Sequence, residues 1–166
     1  NLVHAMDLAL EHSRTDIAFG LGEMLAYLWV QTGQWIEGDR RLDLLLKSRE
    51  RALDSQQGAE RVASEVRVLS QAGLIAALLR ETERARLLIE EAFALGRELG
   101  DPGPLALVHE SNSIRSILDG DLDTAEGNLL ESRACFLKAE DRGGAAVCVG
   151  NLGIVESSRG NHEAAL

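Results

Sequence analysis

A chain of 166 residues that is 45% apolar but only 4% aromatic, with two prolines, can bury one sizeable core made mostly of Leu and Ala. A formal net charge of −10 makes it a poor phosphate binder, which argues against direct nucleic-acid contact by this segment and against anionic membrane surfaces. No apolar run approaches the ~20 residues of a membrane span and no signal peptide is visible, so the expected setting is the cytoplasm.

The chain opens with a helical stretch over 1–12, in which Leu2, Met6, Ala9 and Leu10 recur at helical spacing. Ser13-Arg14-Thr15 breaks it, with Ser13 or Thr15 as the expected cap of the next helix. That helix runs from about Asp16 to Thr32 and carries Ile17, Leu21, Leu25, Leu28 and Trp29. Gly33 ends it, and a helix from near Gln34 carries Trp35, Leu42, Leu45, Leu46 and Ala52. The polar link Asp54-Ser55-Gln56-Gln57-Gly58 follows. Helices are then expected over 59–79 and 82–99. Gly100-Asp101-Pro102-Gly103-Pro104 is the clearest punctuation, with a C′ glycine, an N-cap Asp and a proline at the first helical position. Helices over 102–119, 122–139 and 144–159 complete the reading, and another begins near Asn161.

A period of forty residues orders these elements. Ala85, Ala125 and Ala165 share one slot; Gly73, Ser113 and Gly153 share another; Asp101 and Gly103 map onto Asp141 and Gly143. The turn Gly120-Asp121 recurs as Gly160-Asn161 and, loosely, as Arg80-Glu81. A fixed period of this length marks a repeat array of helix pairs. Small residues in both slots let the paired backbones approach closely, which explains a mid-helix glycine that otherwise costs roughly 1 kcal/mol. If Gly33 is the turn of the first full unit, that unit is seven residues longer than the others, with the extra residues in a longer second helix or in the 54–58 link.

This spacing resembles the tetratricopeptide repeat over about residues 59–166, which implies an all-α, right-handed α-solenoid with units at about 14–57, 58–101, 102–141 and 142–166, the last partial. Residues 1–13 would end a preceding unit, the whole being a single repeat domain cut from a larger protein. Arg80 at a turn and Ser113 in a small slot depart from the pattern and are expected to loosen their surroundings. A narrower resemblance lies in Asn1-Leu2 through Ala9-Leu10-Glu11 and then in Trp29-Val30-Gln31-Thr32-Gly33-Gln34-Trp35-Ile36-Glu37-Gly38-Asp39-Arg40-Arg41-Leu42, which looks like the entry to the helical repeats of large bacterial signal-transduction ATPases of the STAND class, LuxR-type regulators among them. That resemblance implies a sensing arm in transcription regulation. None of the ATPase motifs is present here. The alternative is an arm of a multidomain enzyme such as a nucleotide cyclase or protein kinase.

No catalytic constellation, metal-ligand spacing or cofactor motif emerges. His4, His12, His109 and His162 are scattered, and His109 reads as a packed, hydrogen-bonded side chain. Cys135, on a second helix, and Cys148, on the following first helix, read as buried free thiols. Gly20-Leu21-Gly22 reads as packing, Trp29 and Trp35 as core around the first turn, and Glu81-Thr82-Glu83 and Glu90-Glu91 as solvated faces. The expectation is a non-catalytic module, with no cofactor, that binds a protein or peptide partner or a small effector, and whose uncapped ends, with Leu152, Ile154 and Val155 uncovered, favour self-association. In the tetratricopeptide arrangement the first helix of each pair lines the concave face. The shared register then proposes a groove of Glu23, Tyr27, Arg67, Ser70, Leu74, Glu110, Ile114 and Ile154, with Glu110 pairing to Arg67 or Ser70 when empty. The alternative is that these residues merely face water or neighbouring repeats.

Overall fold

The computed structural model describes residues 1–49 and 58–160. Among the described residues eight α-helices follow in order: α1 (Leu2–Glu11), α2 (Thr15–Thr32), α3 (Trp35–Ser48), α4 (Ala59–Leu78), α5 (Thr82–Leu99), α6 (Pro102–Asp119), α7 (Leu122–Lys138) and α8 (Arg142–Ser158). There is no strand among the described residues, and consecutive helices pack into an all-α repeat solenoid. The expected positions of Ala52, of the link residues 54–57 and of the helix from Asn161 with Ala165 lie outside the described residues.

The turns show why the helices stop where they do. A left-handed residue stands at Gly33, Arg80, Gly100, Gly120, Glu140 and Gly160, and also at Ser13. After Gly120 the Asp121 amide donates back to Ser116 O at 2.9 Å, and the same return runs from Glu81 to Ala76 O and from Asp141 to Phe136 O, each at 2.9 Å. Arg80 therefore makes the same turn as glycine rather than a looser one, and its guanidinium adds a bond to Leu118 O at 3.1 Å across the repeat boundary. Ser13 is a turn residue, not a cap. Arg14 takes the N-cap position of α2 without a side-chain bond, and Thr15 is already helical. The caps expected further on are present: Asp101 accepts from Gly103 N and Asp141 from Gly144 N at 2.9 Å, and Asp121 from Thr124 N at 3.1 Å.

Close approach occurs in the small slots. A methyl on Gly73 would meet Ile89 Cγ1 at 2.6 Å and the carbonyl of Ala85 at 3.4 Å. Ser113 fits the same slot fully buried, because its hydroxyl donates to Glu110 O at 2.6 Å on its own helix. Ala125 is fully buried. Helix α3 is described over 14 residues against 18 in α5, and the place of the extra residues of the first unit lies outside the described residues.

The core is uneven along the array. One large cluster joins Met6, Phe19, Trp29, Leu42, Leu45, Val66, Leu69, Ile75, Ile89 and Val108 across α1 to α6. Helix α4 lies at its centre, packed on α2, α3, α5 and α6 and buried nearly all round. Its Glu65 is buried as well, accepting from Arg61 at 2.7 Å and Arg49 at 3.3 Å, while the Arg61 guanidinium lies 3.5 Å over the Phe19 ring. Farther along, α8 packs chiefly on α7, so the first helices of successive pairs stack more loosely at α6–α8 than at α2–α4 or α4–α6. Val155, expected to be uncovered, is fully buried against Ala125 and Leu129, whereas Ile154 is 52% exposed.

Candidate functional site: the inner face of the first helices

The eight residues of the expected groove separate into three groups. Ser70 and Leu74 do not line it. Ser70 is fully buried, its hydroxyl at 2.9 Å from both Leu107 O and Ser111 Oγ, and it joins α4 to α6. Leu74 is 5% exposed. The reason is that α4 has a stacked neighbour on each side, which closes the surface its register alone would open. Glu23 and Arg67 face each other at 3.3 Å across α2 and α4, and Ser64 Oγ donates to the same Glu23 oxygen at 3.0 Å. Arg67 is thus taken by Glu23, with Glu60 a further 3.9 Å away, and does not pair with Glu110. Tyr27 is 63% exposed on α2. Glu110 and Ile114 lie half-buried on α6, and Ile154 lies beyond them on α8.

Glu110 is set apart by comparison with its repeat mates. Glu23, Ser70 and Glu110 hold one slot, three residues before Ala26, Gly73 and Ser113. In each earlier unit the following helix answers that slot: Arg67 and Ser64 reach Glu23, and Ser111 and the Leu107 carbonyl meet Ser70. In the third unit the places of Arg67 and Ser64 are held by Val147 and Gly144, which offer no side-chain donor. The Glu110 carboxylate has no cationic partner among the described residues. Burial lifts its carboxyl above the ordinary value, and the charge of Asp141, at the head of α8, pushes the same way.

The helices around this carboxylate are tied to one another by buried hydrogen bonds. Cys148 donates to Ser132 Oγ at 3.3 Å, and Ser132 donates to Ala106 O at 2.9 Å, tying α8 to α7 and α7 to α6. Both thiols are buried and free, and burial pushes each above its usual value. Nearby, His109 is held at 3.0 Å from Asn128 Oδ1 and edge-on to Phe93, with burial pulling its pKa down. The slots on this side of α6 and α8 carry the aliphatic residues Leu107, Ile114, Val147 and Ile154 and one desolvated carboxylate. Chemically this face suits a cationic group flanked by apolar surface. In the sequence Glu110 stands out by its mid-array place; Asp141 as a source of field is signalled there only by its match to Asp101. No group of side chains among the described residues could hold a metal ion, and no described helix is long and apolar enough to cross a membrane.

No family model and no curated protein matches the chain. Among solved structures, that of BtubC (BKLC) from P. vanneervenii is similar, with a TM-score of 0.69 at 20% identity over 96% of this chain. The match covers 66% of BtubC, so the chain spans just under two thirds of that protein's length. At this identity the likeness is one of fold.

Proposed function

We propose that this chain is a recognition module that takes a protein or peptide partner on the face of α6 and α8 around Glu110, and that it serves as the sensing arm of a bacterial regulator of the signal-transduction ATPase type. The regulatory assignment rests on the resemblance of the Trp29–Leu42 run to such arms. The binding reading rests on one observation: Glu110 occupies a slot that is answered by a following helix in both earlier units and is left unanswered in its own. A carboxylate kept where burial penalises its charge gains most from a cation supplied by a partner. Aliphatic residues on the same face favour a Lys or Arg set among apolar residues over a freely hydrated amine.

A peptide array varying charge and hydrophobicity is the direct test. Binders are expected to carry a Lys or Arg beside aliphatic residues. Glu110→Gln is expected to weaken them about 10- to 100-fold, the equivalent of one charge-assisted hydrogen bond. Glu131→Ala, on the exposed surface of α7, is expected to leave binding unchanged. Binders without a basic residue, or affinities indifferent to Glu110→Gln, would place recognition elsewhere.

A further inference from the structure

The Glu110 carboxylate lacks both kinds of partner that Glu23 has. Opposite Glu23 the following first helix supplies a cation, Arg67, and a hydroxyl, Ser64. Opposite Glu110 the same two positions of α8 are Val147 and Gly144. Gly144 leaves no room for a hydroxyl-bearing side chain, since a methyl there would meet the Phe136 ring at 2.5 Å. Val147 is 51% exposed and has the room but not the charge. The neighbouring hydroxyls are committed elsewhere. Ser113 donates to the backbone carbonyl of Glu110 at 2.6 Å, and Ser132 to Ala106 O at 2.9 Å. Ser70 donates to Leu107 O at 2.9 Å, which leaves Ser111 as the donor to Ser70.

The charges on the surrounding helices do not fill the gap. Arg67 on α4 is held by Glu23. Arg97 on α5 and Glu131 on α7 act on His109, the preceding residue of α6, which is held against Phe93 and Asn128. Arg133 on α7 acts on Cys148. Arg115, one turn along α6, pairs with Asp119 at 2.7 Å. The charge that does act on Glu110 is Asp141, at the cap of α8, and it has the same sign. Two carboxylates thus meet where α6 and α8 come together, and no cation accompanies them among the described residues.

We propose that a proton and the partner's cation compete for the Glu110 carboxyl, so that acidification switches this face off; the inference rests on the reading of Glu110 as the partner's anchor. In the free chain the proton takes the place of the missing cation, a form favoured by burial and by the charge of Asp141. On binding, the carboxyl O–H bond breaks, the proton passes to solvent, and the carboxylate pairs with the incoming guanidinium or ammonium. Up to one proton leaves for each partner that arrives. Affinity for a basic partner therefore rises with pH until the carboxyl is already ionised in the free chain.

Calorimetric titration of the 166-residue chain tests this with an end-blocked peptide of one arginine among leucines and alanines, which has no group of its own that titrates near neutral pH. Affinity is expected to fall at least about threefold from about pH 7.5 to about pH 5, where a carboxyl at its ordinary value would change it less than about 1.5-fold. Heats in two buffers of different ionisation enthalpy count the protons released, which should be most at the acidic end. Glu110→Gln is expected to bind weakly and equally at every pH. Any part played by His109 stays in that variant, so the difference between the two curves belongs to Glu110. Val147→Arg restores the cation found opposite Glu23. It is expected to bring the Glu110 carboxyl back down in an NMR titration of the free chain and to weaken the peptide at neutral pH. Binding that depends on Glu110 but is level in pH overturns this inference and leaves the reading of the site standing. No Glu110-dependent binding at any pH removes that reading and the inference together. A Glu110 carboxyl that titrates at its ordinary value in the free wild-type chain overturns the inference whatever the peptide does.

Discussion

Glu140 holds a backbone conformation that its side chain makes costly. At φ 60° it turns the chain between α7 and α8 as Gly100 does between α5 and α6 at φ 73°. A left-handed L-residue carries a penalty of roughly 1–2 kcal/mol that glycine escapes, against which glycine loses more freedom on folding. Glu140→Gly is therefore expected to stabilise by about 0.5–1 kcal/mol. Arg80→Gly relieves the same strain but forfeits the bond to Leu118 O, so its gain should be smaller or absent. Thermal melts of the two variants decide this; an equal or larger gain for Arg80→Gly would mean that bond contributes nothing. Glu110 makes the matching electrostatic case. Its carboxyl is raised above 4.5 chiefly by burial, with Asp141 adding to the shift. The folded chain thus holds that proton more tightly than the unfolded one, and the associated stability, complete below the unfolded pKa, is lost as pH rises through the folded value. Glu110→Gln removes the loss. Its advantage over wild type in urea melts is expected to be slight below about pH 4, the ordinary carboxylate range, and to grow as pH rises above it. An advantage that shrinks as pH rises contradicts the raised pKa.

The unit of construction is the helix pair closed through small slots. Ala125 is fully buried between α7 and its neighbours, in a cluster with Leu129 and Val155. Ala125→Leu adds volume there and is expected to cost about 1–3 kcal/mol, while Glu131→Ala on the exposed side of α7 should stay within about 0.5 kcal/mol. Equal shifts in the two melts would mean that the register of α7 is misassigned. The pairs were legible in the sequence because glycines and N-cap acids mark turns locally: Gly33, Gly100, Gly120, Asp101 and Asp121 all stand where the spacing put them. The reading was weaker where no local signal exists. Glu140 does not look like a turn residue, so the spacing predicts α7 to 139 and α8 from 144, whereas the helices end at Lys138 and start at Arg142. Ser13-Arg14-Thr15 is a similar case: Ser13 or Thr15 reads locally as a cap, while Ser13 holds the turn and Arg14 the cap position. The groove residues show the larger gap: register places Ser70, Leu74 and Arg67 on the inner side of α4, but what covers a side or pairs a charge depends on the neighbouring helices. Glu23 lies 44 residues before Arg67, and no pattern within one unit reveals that pair.

Across the whole molecule, burial is concentrated near one helix. Fourteen of the twenty residues of α4 are buried, against three of the seventeen in α8. The large cluster spans α1 to α6, while α8 enters only the small clusters around Cys148 and Val155. In a solenoid each unit is stabilised by its own pair and by its nearest neighbours, so stability is close to a sum of local terms and opening need not be all-or-none. A helix with stacked neighbours on both sides then opens only when the array does, and a helix held mainly by one partner opens alone. Native-state hydrogen exchange is expected to show this as a gradient: amides in the middle of α4 exchange at the rate of global unfolding, those of α8 markedly faster, and those of α6 between them. Leu69→Ala, in the fully buried centre of α4, is expected to lower protection throughout the chain, because the cavity weakens the cluster that α2, α3, α5 and α6 share. Val155→Ala is expected to lower it in α7 and α8 and leave α4 nearly unchanged. If α8 amides prove as protected as those of α4, or if Val155→Ala reduces protection equally everywhere, the array unfolds as one cooperative body and the loose α6–α8 step does not divide it.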